Sequence, residues 1–377
     1  MRDFGKVRRI VVKVGTNLLS SQNGVDRDRI RSIVRQVSSL RKAGMEIMLV
    51  SSGAVGLGAK AIGHLTPVKH IPLKQACASI GQPMLMRVYE EEFASFGLLC
   101  SQVLITRSSL NNRTSYNNLR DSVGTLLDLG VVPIFNENDV VSTAEIGDVF
   151  GDNDRMSAYC ASKMDAELLI LLTDIDGVYT GNPKKDKGVV MLKDIKELTP
   201  EVFSYAKGAG STFSTGGMKT KLLAAEIAQK GGCGTIIASG YEEDTILRIL
   251  KGEEIGTYIL PTERLKQRER WILNTPSLGA ITIDDGAVKA ILTDHKSLLP
   301  KGIIGVEGFF LKGDVIDVKN SNGEIVAKAI SNYQNGEIAF SMGKDSKDIP
   351  DVVGKGHKVV FRPEDMVEYE QLSNRIQ

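Results

Sequence analysis

A chain of 377 residues is longer than one ordinary domain, and we expect it to fold as two. With 42% hydrophobic and 25% charged residues it has the composition of a globular protein, not of a disordered chain. A formal net charge of +1 gives no global reason to expect nucleic acid or a membrane as the main partner. No apolar run is long enough to span a bilayer, so we expect no membrane partner.

The four cysteines are far apart and include no C-x-x-C pair, which indicates neither a zinc site nor a disulfide framework. They are Cys77, Cys100, Cys160 and Cys233. We expect reduced core thiols, as in a cytosolic protein. Residues 1–6 lead directly into a predicted strand and lack the apolar core of a signal peptide. The expected location is therefore cytoplasmic.

The first part of the chain alternates strands with helices. Short aliphatic runs predict strands at residues 9–14, 47–50, 102–105, 131–135, 168–172 and 235–238. Apolar residues at helical spacing predict helices at residues 26–43, 73–96, 111–129, 156–164 and 222–229. Within the second helix, Gly81-Gln82-Pro83 predicts a break or kink. The alternation predicts an α/β fold, a three-layer α-β-α sandwich with a mainly parallel sheet.

From about residue 256 the pattern changes. A densely charged segment at 263–270 is followed by short runs separated by glycine turns, which predict strands at 280–283, 287–292, 314–319 and 358–361. Asn322-Gly323 between apolar runs is typical of a hairpin turn. We predict a domain at residues 1–260, a linker at 261–276, a small β-rich domain at 277–366 and a C-terminal tail at 367–377.

Polar and glycine-rich segments directly follow four of the predicted strands. They are Gly15-Thr16-Asn17, Ser51-Ser52-Gly53, Asn136-Glu137-Asn138-Asp139 and Thr173-Asp174. The carboxyl ends of parallel strands lie at one edge of a sheet, and ligands bind in the crevice beyond that edge. We therefore expect these segments to converge on one site.

The segment from Ser214 to Lys221 has the parts of a phosphate site. Gly216 and Gly217 let the backbone approach a ligand closely, and the helix that follows offers unpaired N–H groups and the positive end of its dipole. Its charged and hydroxyl donors are Lys219, Lys221, Thr215 and Thr220. The spacing is not that of a Walker A loop. The alternative interpretation is a surface turn that caps a helix.

Two further features near the strand ends suit an anion. Lys13 lies inside the first strand, so it either emerges at the strand end to neutralise phosphate or reaches solvent from an edge strand. Ser52-Gly53-Ala54 suits a nest of backbone N–H groups for a carboxylate or phosphate. Its spacing differs from G-x-G-x-x-G, which argues against a dinucleotide fold.

The stretch from Asn136 to Asp154 is rich in amides and carboxylates, and it ends in Gly151-Asp152-Asn153-Asp154. Such groups accept hydrogen bonds from the ammonium of an amino acid and donate to its carboxylate, and a carboxylate here also suits Mg²⁺ or a lysine. The alternative is a solvated loop whose side chains cap turns. Thr173-Asp174 suits a nucleotide contact or an ion pair with the lysines, or forms a helix cap or turn.

Taken together and in order, six stretches resemble the amino acid kinase family. They are residues 11–16, 51–55, 135–139, 151–154, 172–174 and 215–221, and they cover the chain to about residue 260. The match is weakest between Ile146 and Gly151, where the loop is longer than is usual in the family. Residues 298–303 resemble part of a PUA domain.

The resemblance implies the amino acid kinase fold and a defined reaction. The reaction is ATP-dependent phosphorylation of the γ-carboxylate of L-glutamate to L-glutamyl 5-phosphate, the first step of proline biosynthesis. The implied cofactors are ATP and Mg²⁺, with the metal held mainly by the ATP phosphates and no protein ligand assigned.

The resemblance also implies residue roles. The catalytic residues are Lys13, Lys221 and Asp154, where Asp154 positions the lysines. The glutamate-binding residues are Ser52, Gly53, Ala54, Asp139 and Asn153. The ATP-binding residues are Lys13, Gly15, Thr173, Asp174, Thr215, Gly216, Gly217, Met218, Lys219, Thr220 and Lys221.

The implied partners are L-glutamate, further copies of the chain in a homodimer or homotetramer, and functional coupling to a glutamyl phosphate reductase. One alternative is a related kinase acting on aspartate, acetylglutamate, carbamate or a nucleoside monophosphate. Another is an RNA-binding PUA protein, which the near-neutral charge disfavours. The charged run Arg264, Lys266, Arg268 and Arg270 is either an RNA patch or a solvated linker helix.

Overall fold

A computed structural model describes residues 1–21, 24–64, 66, 68, 70–142, 152–183, 186, 188–206, 217–262, 266–345, 347–350, 353 and 358–369. The contacts divide the chain into two units. The first consists of Met1–Leu110 and Tyr116–Arg264, and the second of Asn111–Ser115 and Leu265–Gln377. Among the described residues, no helix combines the length and the apolar character needed to cross a membrane.

The first unit is built on one large sheet. The strands of this unit in chain order are β1 (Arg9–Val14), β2 (Ser20–Ser21), β3 (Gly24–Val25), β4 (Glu46–Ser51), β5 (Cys100–Ile105), β6 (Val132–Glu137), β7 (Leu168–Thr173), β8 (Val178–Tyr179), β9 (Met191–Leu192), β10 (Asp194–Ile195), β11 (Gly234–Ser239) and β12 (Thr257–Ile259). In the described residues, β2-β3 and β8-β9 form two small two-stranded sheets. Eight strands of the described residues form the large sheet, in the order β10-β12-β11-β7-β1-β4-β6-β5. Neighbours are parallel except β11 and β12.

Helices cover both faces of this sheet, which confirms the predicted α/β fold. They are α1 (Thr16–Leu19), α2 (Arg27–Lys42), α3 (Ala54–Ala61), α4 (Ile71–Ser95), α5 (Arg107–Asn111), α6 (Arg113–Asp128), α7 (Asn153–Lys163), α8 (Pro200–Tyr205), α9 (Met218–Lys230) and α10 (Thr245–Leu250). Side chains of β1 alternate between faces: Ile10, Val12 and Val14 share a core with α2 and α4. Lys13 therefore lies on the opposite face, where α7 contacts β1 and α9 packs on α7.

The sequence predicted a break or kink at Gly81-Gln82-Pro83, and a break is wrong because α4 continues through Pro83. A proline in a helix leaves the carbonyl four residues earlier without its usual partner. Here that residue is Ser79, and both Ser79 and Pro83 lie on the exposed side of α4. Water can satisfy the carbonyl there, so the helix tolerates the proline.

The second unit carries a smaller sheet. Its elements are α11 (Gln267–Leu273), β13 (Gly279–Ile283), α12 (Asp285–Leu292), β14 (Ile303–Gly308), β15 (Val315–Lys319), β16 (Ile325–Ile330), α13 (Asn335–Ser341) and β17 (Met366–Glu368). Within the described residues the sheet order is β14-β13-β15-β16-β17. The hairpin predicted at Asn322-Gly323 joins the antiparallel strands β15 and β16, and Gly323 has a φ of 83°.

Two strands predicted in this unit are wrong. Residues 287–292 belong to helix α12, because the Asp284 side chain accepts from the N–H of Ala287 at 2.7 Å and caps the first turn. Ala287 and Ile291, four residues apart, are buried on one side of the helix. Residues 358–361 form only an isolated bridge between Phe361 and Leu298. The ladder stops there because Pro300 has no N–H to extend it.

Candidate active site

The carboxyl ends of β7, β1, β4 and β6 lie side by side at one edge of the large sheet. These four strands are neighbours and parallel, so their following residues face the same space. That space is a cleft of about 510 Å³. Its lining from each strand end includes Gly15, Ser52, Asn136, Glu137, Thr173 and Asp174. The segments expected to converge do so.

Lys13 reaches this cleft from the centre of the sheet. In the register of β1 it lies opposite Val50 of β4 and Leu171 of β7. The alternative of an edge-strand lysine is therefore wrong. Its side chain is only 9% exposed, so its ammonium requires a charged partner.

That partner is supplied by the start of α7. Asp152 caps this helix, since its Oδ1 accepts from the N–H of Arg155 at 2.9 Å. The cap places Asp154 in the first turn, where it is buried under β1. Asp152 also lines the cleft, and burial, together with the charge of Asp154, raises its pKa.

Asp154 joins two lysines from different elements. Its Oδ1 lies 2.6 Å from Nζ of Lys13, and its Oδ2 accepts from Nζ of Lys221 at 3.1 Å. The Thr220 hydroxyl donates to the same Oδ2 at 3.2 Å. Burial by itself raises the pKa of Asp154, but the charges of Lys13 and Lys221 outweigh it and hold that pKa below its ordinary value. Two ammonium groups on one carboxylate leave one positive charge at the floor of the cleft, which attracts an anion.

Helix α9 directs its N-terminal end toward the same place. Gly217 is its N-cap residue, and among the described residues no side-chain hydrogen bond caps this end. The N–H groups of a first helical turn are donors that suit an anion. Lys221 is turned inward, whereas Lys219 is exposed and does not line the cleft. Met218 is buried in the helix packing.

Three predicted features of this region are not described. Thr215 and Gly216 lie outside the described residues, as does the loop between Ile146 and Gly151. Of the glycine-rich segment, the structure therefore places Gly217 and the residues of α9 that follow it.

Thr173 and Asp174 follow β7 beside the lysines. The Thr173 hydroxyl donates to Oδ1 of Asp174 at 3.0 Å, and Nδ2 of Asn17 donates to its Oδ2 at 3.1 Å. Burial raises the pKa of Asp174, but these two hydrogen bonds, with a smaller effect of Lys221, leave the pKa lowered. The carboxylate is therefore held ionised and oriented at the cleft wall. Gly15 is close by, where a Cβ would lie 3.3 Å from the carbonyl oxygen of Leu172.

Side-chain amides lie on the other side of Lys13, Asp154 and Lys221, which together form a buried triad. Nδ2 of Asn153 shares its two hydrogens among three acceptors: Oγ of Ser52 at 2.9 Å, Oδ1 of Asn136 at 3.0 Å and the carbonyl of Ser51 at 3.0 Å. The adjacent Gly53 adopts a left-handed conformation with a φ of 107°, which glycine accepts without strain. It begins α3 at Ala54 without a side-chain cap, so this helix also presents N–H groups to the cleft.

The outer end of the cleft holds an ion pair. Oδ1 of Asp139 lies 2.9 Å from Nζ of Lys74 on α4, and both residues line the cleft. Asp139 is 12% exposed and Lys74 is 45% exposed. The anion is thus fixed in the wall while the cation remains in solvent.

Sequence reasoning did not select several residues of this site. Asn17 and Asn136 were in the predicted strand-end segments but were not assigned roles, and their position after a strand was the available signal. Lys74 gave no signal, because it is an ordinary polar residue of a helix. The structure brings Lys74 to Asp139 across 65 residues of sequence (139 − 74).

Comparisons with known proteins identify two families that the chain matches. The model of the amino acid kinase family matches residues 8–239, and the model of the PUA domain matches residues 279–353. A solved UMP kinase from Bacillus anthracis aligns with a TM-score of 0.49 and 19% identity, over 69% of this chain and 98% of that one.

Three relatives are named glutamate 5-kinase. That of Methanococcoides burtonii is 43% identical over 93% of this chain and 94% of its own length. That of Methanosarcina mazei is 41% identical over 98% of both chains, and that of Moorella thermoacetica is 43% identical over 93% of both. With this similarity over nearly its whole length and the family match across the cleft, the chain belongs to the amino acid kinase family.

Proposed function

We propose that this protein is a glutamate 5-kinase, which transfers the γ-phosphoryl group of ATP to the γ-carboxylate of L-glutamate. The product is L-glutamyl 5-phosphate, and the reaction is the first step of proline biosynthesis. The observation that carries the proposal is the Lys13–Asp154–Lys221 triad, which lies in one cleft with Asn153 and Asp139. The names of the relatives support the substrate.

The triad suits a reaction between two anions. A carboxylate is already ionised at neutral pH, so it attacks without a general base. The difficulty is repulsion between it and the phosphates, which the enzyme overcomes by positioning and by neutralising charge. Lys13 and Lys221 supply that charge in a buried place, where it is screened little by water. Asp154 holds the two ammonium groups together, and its single negative charge neutralises only one of their two positive charges.

The other end of the cleft suits an amino acid. Asp139 accepts from an ammonium group, and the N–H groups at the start of α3 donate to a carboxylate. Ser52 already accepts from Asn153 through its Oγ, so its O–H is available as a donor. In this arrangement the γ-carboxylate faces the triad and the amino-acid group faces Asp139.

The residues at the triad side fit ATP and Mg²⁺. Lys13, Lys221 and Thr173 line the cleft and suit the phosphates, and so does the N-terminal end of α9, which carries Lys221. Asp152 and Asp174 line the cleft, and among the described residues no group of three or more acidic, histidine or cysteine side chains could hold a metal. This donor set suits Mg²⁺ bound chiefly through phosphate oxygens and water. When bound, the metal neutralises phosphate charge.

A product-trapping assay tests the proposed function. The purified chain is incubated with ATP, Mg²⁺ and hydroxylamine, with L-glutamate, L-aspartate, N-acetyl-L-glutamate, carbamate or UMP as acceptor. We expect hydroxamate only with glutamate, together with ADP in equal amount. ADP release with UMP or acetylglutamate and none with glutamate would overturn the proposal.

Three finer points belong to the same proposal and rest on the family resemblance. The chain forms a homodimer or homotetramer, works in the cytoplasm, and passes its product to a glutamyl phosphate reductase. An acyl phosphate is easily hydrolysed, which gives such coupling a chemical purpose. Sedimentation of the purified chain measures the first point, and a monomer at micromolar concentration would contradict it.

A further inference from the structure

The sequence Gly81-Gln82 on α4 lies directly behind the cleft. A Cβ at Gly81 would come within 1.8 Å of the carbonyl oxygen of Ala54, so at this point α4 contacts the backbone that begins α3. This contact places Gln82 next to the residues of the cleft wall. Gln82 itself does not line the cleft and is 7% exposed.

Gln82 belongs to a chain of side-chain amides that ends in the cleft. Its Nε2 donates to Oε1 of Gln102 at 3.0 Å, and its Oε1 accepts from Nδ2 of Asn136 at 2.8 Å. Oδ1 of Asn136 in turn accepts from Nδ2 of Asn153 at 3.0 Å. Each amide therefore accepts from the next one toward the cleft.

Two backbone groups fix the direction of this chain. Oδ1 of Asn136 accepts from the N–H of Glu137 at 2.9 Å, and a backbone N–H can only donate. Nδ2 of Asn153 donates to the carbonyl of Ser51, which can only accept. If the amide of Asn136 were rotated by 180°, its NH₂ would face the N–H of Glu137, which is also a donor. If that of Asn153 were rotated, its oxygen would face the carbonyl of Ser51, which is also an acceptor. Within the described residues, Oδ1 of Asn153 accepts no hydrogen bond, and Asn153 lines the cleft.

We propose that Gln82 is a positioning residue that makes Asn153 present an acceptor oxygen to the substrate's ammonium group. The inference rests on the proposed function and adds a source of selectivity: an amino acid binds better than the same dicarboxylate without its ammonium group. Without Gln82, the buried Nδ2 of Asn136 loses its partner. Asn136 then keeps only the N–H of Glu137 and Asn153 as partners, so it holds Asn153 less firmly and the acceptor oxygen is positioned less well.

The test compares L-glutamate with glutarate, which has both carboxylates but no ammonium group. In the wild type we expect a much higher kcat/KM for glutamate. In Gln82→Met, which keeps the side-chain length but makes neither hydrogen bond, we expect this preference to fall about tenfold, the worth of one hydrogen bond to a charged group. Activity toward glutarate should stay nearly constant.

Gln36→Met is the matched control. Gln36 on α2 is also buried, donates to the carbonyl of Ser32 and accepts from the N–H of Ile246, but it does not line the cleft. It should lower the melting temperature without changing the glutamate-to-glutarate ratio. This separates a lost buried hydrogen bond from a change in selectivity.

The outcomes are distinct. A wild type that phosphorylates glutamate, combined with an unchanged ratio in folded Gln82→Met, overturns the role of Gln82 alone. A wild type inactive on glutamate overturns the proposed function, and this inference with it. If Gln82→Met does not fold, Gln102→Met tests the same role. Gln102 is exposed and accepts a hydrogen bond from Gln82, and we expect the loss of that bond to lower the glutamate-to-glutarate ratio of kcat/KM about threefold. An unchanged ratio in that variant would equally overturn the inference.

Discussion

The two ends of the cleft hold ion pairs of similar length in different surroundings. At the end formed by Lys13, Asp154 and Lys221, the proposed phosphate end, Asp154 lies 2.6 Å from Lys13, and the side chains of both are less than 10% exposed. At the end formed by Asp139 and Lys74, the proposed amino-acid end, Asp139 lies 2.9 Å from Lys74, but Lys74 is 45% exposed. By distance alone, the two ion pairs would be expected to be similar in strength. Burial separates them, because water screens the second pair and barely reaches the first.

This difference indicates two ways of using charge. The buried triad cannot open cheaply, since an unpaired ammonium or carboxylate there would lose both water and partner. It is therefore a fixed electrostatic environment, suited to a transition state. The outer pair can open at small cost, because water replaces Asp139 around Lys74. Asp139 can then exchange Lys74 for the ammonium of a substrate, which makes that end suited to binding.

The largest expected effect tests the phosphate end. Lys221→Met and Lys13→Met should each lower kcat about 100- to 1,000-fold, because each removes a preorganised charge from the transferring group. The glutamate KM should change only a few-fold. Steady-state kinetics with saturating ATP and Mg²⁺ measures both.

Lys230→Met is the control for the lysine variants. Lys230 ends the same helix as Lys221 and pairs with Glu226 at 2.8 Å on the surface. It should keep wild-type kcat, since a surface pair contributes little. If Lys13→Met or Lys221→Met raised KM and kept the wild-type kcat, the triad would act in substrate binding, and the proposed difference between the two ends would be wrong.

How much of this cleft the sequence could predict differs between its ends. The strand-end segments predicted convergence, because parallel strands place their carboxyl ends together whatever the side chains are. That Lys13 is central could not be known, since strand order is set by packing across the whole sheet. The Lys74–Asp139 pair was likewise beyond prediction, because it depends on where α4 crosses the sheet edge.

Local chemistry explains the misassigned elements. The apolar run at residues 287–292 suits a strand by composition, but the Asp284 cap and the four-residue spacing of Ala287 and Ile291 favour a helix. Pro83 argued for a break, yet exposure of that side of α4 removes most of the penalty. Solvent exposure, which the sequence does not state, decided the outcome at Pro83, whereas the cap and the residue spacing decided it at residues 287–292.

The next largest effect is expected at the other end of the cleft, at Asp139 and Lys74. Asp139→Asn should raise the glutamate KM about 30-fold with kcat nearly unchanged, because it removes the charge that pairs with the ammonium group. Lys74→Met should change KM less than about threefold, since its half-exposed ammonium only occupies Asp139 between turnovers. Equal KM effects in the two variants would mean that the pair acts as a unit and does not exchange partners.

The smallest effect tests the fixed charge of Asp154 through pH. The pKa of Asp154 in the folded protein is below its ordinary value of 3.8. A lowered folded pKa contributes stability that is complete above the unfolded pKa and is lost as pH falls toward the folded pKa. The difference in unfolding free energy between wild type and Asp154→Asn should therefore be constant from about pH 8 to pH 5 and shrink below about pH 4.

Chemical denaturation across this pH range measures that difference. Asp121→Asn is the control, because Asp121 is 70% exposed and pairs with Arg120 at 3.3 Å on the surface. It should change the unfolding free energy by less than about 1 kcal/mol at every pH. If the Asp154 difference instead stayed constant to pH 3, the two lysines would not be stabilising the ionised carboxylate. The phosphate end would then differ from the outer pair in packing alone, and not in its use of charge.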